Sequence, residues 1–212
     1  MENRKAAVEA LHRQRMMDAS ERLFLEKGFQ GTTIADISAA SGYSRRTIYA
    51  YFDSKEEILC GLVARGLRML RDELKAILDE SLAFSAMYGK ICAAMRAYQT
   101  QHPLSAAHVN AAQAERLTGD GLTNGARVVL SLGSEINALL EQFLQRGMAE
   151  GVVRRDVPVR LAVPVLWAGM TSLLSLAAAK GAYLAQALGV SEEEFLKYGF
   201  EQLLGGILEA GT

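Results

Sequence analysis

Three cations in this chain stand where a helix least favours them. Arg45 and Arg46 follow Ser44, whose hydroxyl can cap a helix start, and Lys55 follows Ser54, a second such start. A helix N-terminus carries partial positive charge, so a cation in its first turn is disfavoured by some tenths of a kcal/mol. A bound phosphate reverses that sign, because the dipole and the side chain then attract the same group. Arginine also matches the O6 and N7 acceptors of guanine. Tyr43, Tyr49 and Tyr51 lie among these cations and add hydroxyl donors suited to backbone oxygens. Together these residue types in this order have the chemistry of a nucleic-acid reader. The plain alternative is a solvated arginine turn beside core aromatics.

The elements that position these residues are short helices. Met16, Ala19, Ser20, Leu23 and Phe24 form one helical face, and Gly28 followed by Phe29 marks a left-handed stop. Thr33 with Asp36 opens a second helix, Ile34, Ile37 and Ala40 facing inward, which closes at Ser41-Gly42. Ser44 opens a third, carrying Ile48 and Phe52. Ser54 with Glu57 then makes a capping box for a longer helix through Ile58, Leu59 and Leu62. Two short helices about a tight glycine turn describe a helix-turn-helix. Ahead of Met16, Arg4, Lys5 and Arg13 suit a basic arm for a minor groove. With Glu2 and Glu9 among them, a frayed tail is the plainer reading.

Behind this front module the helices lengthen. The periodicity predicts segments 54–80, 85–101, 104–117, 123–150, 158–188 and 192–209, with breaks at His102-Pro103, Gly119 to Gly121, Gly151 and Gly189. Ser191 with Glu194 is a capping box for the last segment. Asp156 ahead of Pro158 gives a cap-like start to the one before it, and Pro164 is expected to kink that helix or reset its start. The fold class is therefore all-α: a helix-turn-helix module over 1–55 whose charge placement suits DNA, and a larger helical module over 56–212.

Residues 13 to 60 resemble the TetR family of bacterial transcriptional regulators. The run from Gly28 through Gly31-Thr32-Thr33-Ile34-Ala35-Asp36-Ile37, then Ser41-Gly42-Tyr43-Ser44, then Thr47-Ile48-Tyr49-Ala50-Tyr51-Phe52-Asp53-Ser54-Lys55, carries the likeness. The resemblance implies a homodimer on near-palindromic operator DNA, with Ser44 to Tyr51 entering the major groove. By position it implies that Thr33, Tyr49 and Lys55 hold phosphates, that Arg45, Arg46 and Thr47 face bases, and that Tyr43 and Tyr51 lie at the groove edge, with Ser44 at the helix start. The Arg45-Arg46 pair departs from the family's frequent lysine-glycine or proline-containing start. The last two helices would pair with their copies in a four-helix bundle, and the rear half would hold an effector.

That dimer gives a home to Leu161–Ala179, 19 residues without a charge. Length alone would admit a membrane span. Pro164, Thr171, Ser172 and Ser175 within it, with no basic cluster at its flanks, favour a buried helix or a subunit interface instead, so no membrane partner is expected. For an unknown, largely apolar effector the candidate lining is Met95, Tyr98, His108, Phe143, Trp167 and Met170, from a wider set with Phe84, Met87 and Tyr88; Gln113 is a candidate polar anchor.

Other classes are poorly supported. Cys60 and Cys92 are far apart, and His102 and His108 are six apart, so neither a disulfide nor a metal site is expected. No metalloprotease helix, phosphate-binding glycine loop or nucleophile motif occurs, so no enzyme and no cofactor is expected. The net charge of −1 does not oppose DNA binding, because residues 1–75 hold 13 Lys/Arg against 11 Asp/Glu. Cytoplasmic localisation and a repressor released by effector are the resulting expectations. The rival is an architectural or partner-binding helix-turn-helix protein without effector, distinguished by a filled rear core.

Overall fold

A computed structural model describes residues 2–111 and 122–209. Among them are nine helices: α1 Glu2–Gly31, α2 Ile34–Ser41, α3 Arg45–Tyr49, α4 Lys55–Asp79, α5 Phe84–Gln101, α6 Pro103–Ala111, α7 Asn124–Ala149, α8 Val159–Leu188 and α9 Glu192–Gly205. The described residues contain no strand, and an isolated antiparallel bridge joins Val153 to Leu208. The expected end of the sixth helix at Leu117, Gln113, and the turn at Gly119 to Gly121 lie outside the described residues.

The helices divide into two compact units. The first takes the described residues of 1–67 and 102–131, and the second those of 68–101 and 132–212. This differs from a boundary at 55/56, because α4 runs through that position unbroken and α6 packs against α1.

In the first unit, α1 begins fourteen residues before Met16 and is helical from Glu2, not a frayed tail. Residues 2–15 contain neither glycine nor proline, and Lys5 pairs with Glu9 one turn on at 3.9 Å. Gly28, at φ 76°, interrupts the helix where the left-handed stop was expected. Met16, Phe24, Ile37, Ile48, Phe52 and Ile58 are buried together as the core that seats α2 and α3 on α1.

The second unit is held by α5, α7, α8 and α9. Gly169 of α8 receives Leu203 of α9, where an added Cβ would lie 2.6 Å from Leu203 Cδ2. Gly199 of α9 receives Leu173 of α8, with 2.7 Å to Leu173 Cδ1. These reciprocal glycine–leucine seats four residues apart on each helix make the pair antiparallel and close. Pro164 does not break α8; the one non-helical residue inside it is Lys180, at φ −129° and ψ 16°. Near a helix start proline removes a single ladder bond, and the turn ahead of it still closes through Ala162 N donating to Pro158 O at 3.0 Å. Asp156 does not cap α8 either, because Pro158 holds the cap position without a side-chain bond and Asp156 faces Arg154 at 3.6 Å. Although buried in part, α8 leaves Leu161, Val165, Leu176, Tyr183 and Leu188 exposed. It is also the described helix whose length and composition would allow it to cross a membrane.

Candidate nucleic-acid interface

The interface starts from the cap of α2. Thr33 Oγ1 accepts from Asp36 N at 3.2 Å, and the Asp36 carboxylate accepts from Thr33 N at 2.9 Å. Hydrogen bonds from the Thr33 hydroxyl and backbone, with Lys27 beside them, lower the Asp36 pKa to about 2. The Thr33 hydroxyl donates to Asp36 at 2.6 Å, so its first role is internal. Gly42, at φ 73°, then turns the chain. Ser38 fixes that turn by donating to Tyr43 O at 2.7 Å.

Ser44 caps α3 by accepting from Thr47 N at 3.0 Å, and the Ser44 and Thr47 hydroxyls bond each other at 2.7 Å. Arg45 and Arg46 project from this start, exposed and without an ion pair among the described residues. The helix is shorter than the expected 44–51, ending at Tyr49 with Ala50 as its cap. With five residues its dipole is small, so attraction for an anion rests on the guanidinium groups rather than on the helix end. Tyr49 is 54% exposed on the same element, while Ile48 is fully buried and anchors it.

Lys55 is engaged differently from the expected phosphate contact. Its ammonium donates to Phe29 O at 2.7 Å and Thr32 O at 2.9 Å, and stands 4.3 Å from the Phe29 ring centroid. Two of its three donors therefore close the end of α1. The capping box of α4 is offset by one residue: Ser54 accepts from Glu57 N, but the Glu57 carboxylate accepts from Asp53 N, at 2.6 Å.

Two side chains missing from the sequence-based set belong here. Arg13, expected as part of an arm, donates to Tyr51 O at 2.6 Å and lies 4.1 Å over the Phe52 ring. His12 packs against both Tyr43 and Tyr51. Their signal was faint, a polar pair at the edge of the α1 buried face.

A small cavity of about 20 Å³ lies in the second unit, between α5, α7 and α8. Met95, Phe143, Trp167 and Met170 line it, with Tyr88, Ile91, Leu140, Leu144, Val163 and Leu166. Tyr98 and His108 do not: Tyr98 is buried core further along α5, and His108 is exposed on α6 in the other unit. Phe143 stacks on Phe84 at 4.4 Å between centroids. Tyr88 donates to Phe200 O at 2.7 Å, and burial raises its pKa well beyond the ordinary phenol range, keeping it a neutral donor. The wall is apolar.

Residues 16–60 match the family model for bacterial regulatory proteins of the tetR family. The repressor KstR2 of Rhodococcus jostii is 29% identical over 71% of this chain and 72% of its own length. Over these residues the chain is similar to TetR-family regulators. Two solved regulators share its fold. The ketosteroid transcriptional regulator KstR2 of Mycobacterium tuberculosis covers 93% of this chain and 95% of itself, at 19% identity and a TM-score of 0.70. The regulator FadR of Bacillus subtilis, solved with stearoyl-CoA, covers 92% and 98%, at 17% identity and a TM-score of 0.70. Regulators of this family bind operator DNA and small-molecule effectors as dimers, and are in general not enzymes. The match over residues 16–60 makes the helix-turn-helix of this chain similar to the DNA-binding domain of those regulators.

Proposed function

We propose that the chain is a cytoplasmic, non-enzymatic repressor of a near-palindromic operator, released by a largely apolar effector. Arg45, Arg46 and Thr47 face bases, while Tyr43, Tyr49 and Tyr51 meet the backbone, with Ser44 and Thr33 contributing after their capping bonds. The observation that carries this reading is the pair of exposed arginines without an acid partner among the described residues, on the second helix of a buried-core helix-turn-helix. Lys55 acts through the fold, by holding the start of α4 to the end of α1.

The effector enters the apolar space between α5, α7 and α8. Steroid and acyl-CoA regulators with this fold support an alicyclic or acyl compound. A cavity of about 20 Å³ admits little more than one water, so the effector must select a more open state. That state is the one that cannot bind DNA: α4 and α7 each contribute to both units, and a change in them moves the recognition helices off grooves about 34–36 Å apart. The dimer forms through α8 and α9, and α8 is interface rather than membrane span.

Selection from random DNA tests the reading directly. A palindrome should be enriched, and Arg45→Ala should relax preference at one base pair, costing about 1–3 kcal/mol there. If no palindrome emerges, the specific-regulator reading fails.

A further inference from the structure

His12 precedes the residues that match the family model, yet it joins both ends of the recognition element. Its ring centroid lies 5.4 Å from that of Tyr43, just ahead of the α3 cap, and 6.2 Å from that of Tyr51, just past the α3 end. Its Nδ1 lies 3.3 Å from the Tyr51 hydroxyl. Arg13, the next residue, fixes the backbone at the same place through Tyr51 O. His12, Tyr43 and Tyr51 are all half-exposed, so this cluster is reachable from solvent beside Arg45 and Arg46. His12 Nε2 has no partner among the described residues.

The bond between Nδ1 and the phenol runs in one of two directions. If Tyr51 donates, the neutral imidazole carries its proton on Nε2. If Nδ1 carries the proton, the Tyr51 hydrogen is free to turn elsewhere. In both tautomers the pair keeps one donor unsatisfied, and an imidazolium keeps both. A phosphate oxygen of a nucleic acid accepts from such a donor.

We propose that His12 is a positioning residue for the operator backbone: it holds Tyr43 and Tyr51 at the two ends of α3 and, with Tyr51, presents a hydrogen-bond donor to one phosphate. This rests on the DNA reading of α3 and extends that interface onto α1.

The test is fluorescence anisotropy of the full-length protein on its selected operator, across a salt series, with a thermal melt of each variant. His12→Phe keeps a ring against both tyrosines and removes both nitrogens. It should weaken binding about tenfold on all sequences, as loss of a hydrogen bond to a charged group does, with the salt slope unchanged because no cation is lost. His12→Asn, which keeps a hydrogen-bonding atom near the Nδ1 position, should recover most of the loss. Tyr51→Phe should lose as much as His12→Phe, and the double variant no more than either. Wild-type affinity for His12→Phe, or losses that multiply in the double variant, overturns the proposal. Should His12→Phe melt early, Tyr51→Phe decides alone, since it keeps every ring; full affinity for it is then the overturning result. A wild-type chain that enriches no palindrome removes the underlying reading, and this inference with it.

Discussion

The Lys55 ammonium ties the start of α4 to the end of α1 through two carbonyls and the Phe29 ring. Removing it leaves those carbonyls without their charged donor, so Lys55→Met should lower stability by about 1.5–3 kcal/mol in urea unfolding with the slope unchanged. Operator affinity should fall with a salt slope like the wild type's. A residue that only met phosphate would show the reverse, a reduced slope and unchanged stability. Asp36 adds a pH signature. Its folded pKa, about 2, is below the ordinary 3.8, so the Thr33–Asp36 box stabilises the fold above the ordinary value and loses that contribution as pH falls toward 2. Asp36→Asn should flatten this limb of an acid titration followed by circular dichroism. At this scale residue type was legible and partnership was not: Lys55 reads as a cation beside a cap, and its acceptors lie 26 and 23 residues away.

Among the elements, what could be read was whatever a helix end states locally. The boxes at Thr33–Asp36 and Ser191–Glu194 form as their spacing implies, and Gly28, Gly42, Gly151 and Gly189 all take positive φ. The extension of α1 was hidden because mixed charge reads equally as tail or as exposed helix. The cavity lining was half legible for a related reason. Leu140 and Leu144 on α7 stand one turn apart, as do Val163 and Trp167 on α8, which places each pair on one helix face without saying which of them borders a void. The α8–α9 seam is more explicit, since Gly169 and Gly199 each stand where the other helix brings a leucine. A larger side chain there must push Leu173 or Leu203 aside. Gly199→Val should therefore cost about 1–3 kcal/mol of stability, while Gly89→Val, at a position with open space around it, should be neutral or slightly stabilising, since valine is the better helix former. Equal effects in the two variants would mean that the seam is not close-packed.

For the molecule as a whole, the unbalanced feature is α8. Leu161, Val165, Leu176 and Tyr183 are spaced by 4, 11 and 7 residues, so they fall on one side of the helix, and each is exposed in the single chain. From Leu161 to Ala179 no charge interrupts that side. Soluble monomers seldom leave a contiguous apolar patch beyond a few hundred Å² uncovered. The proposed dimer would cover it, because a two-fold axis sets the same patch against itself. Val165, at 65% exposure, gives the sharpest test. In the monomer Val165→Glu places a carboxylate in water at little cost, so helical content should be retained. In the dimer it desolvates two like charges against an apolar seam. Light scattering after size exclusion should then show a monomer. Operator binding should weaken by about 10²-fold or more, because the second half-site loses the effective concentration that the tether supplies. A Val165→Glu chain that stays dimeric with full operator affinity would place the subunit contact on another face.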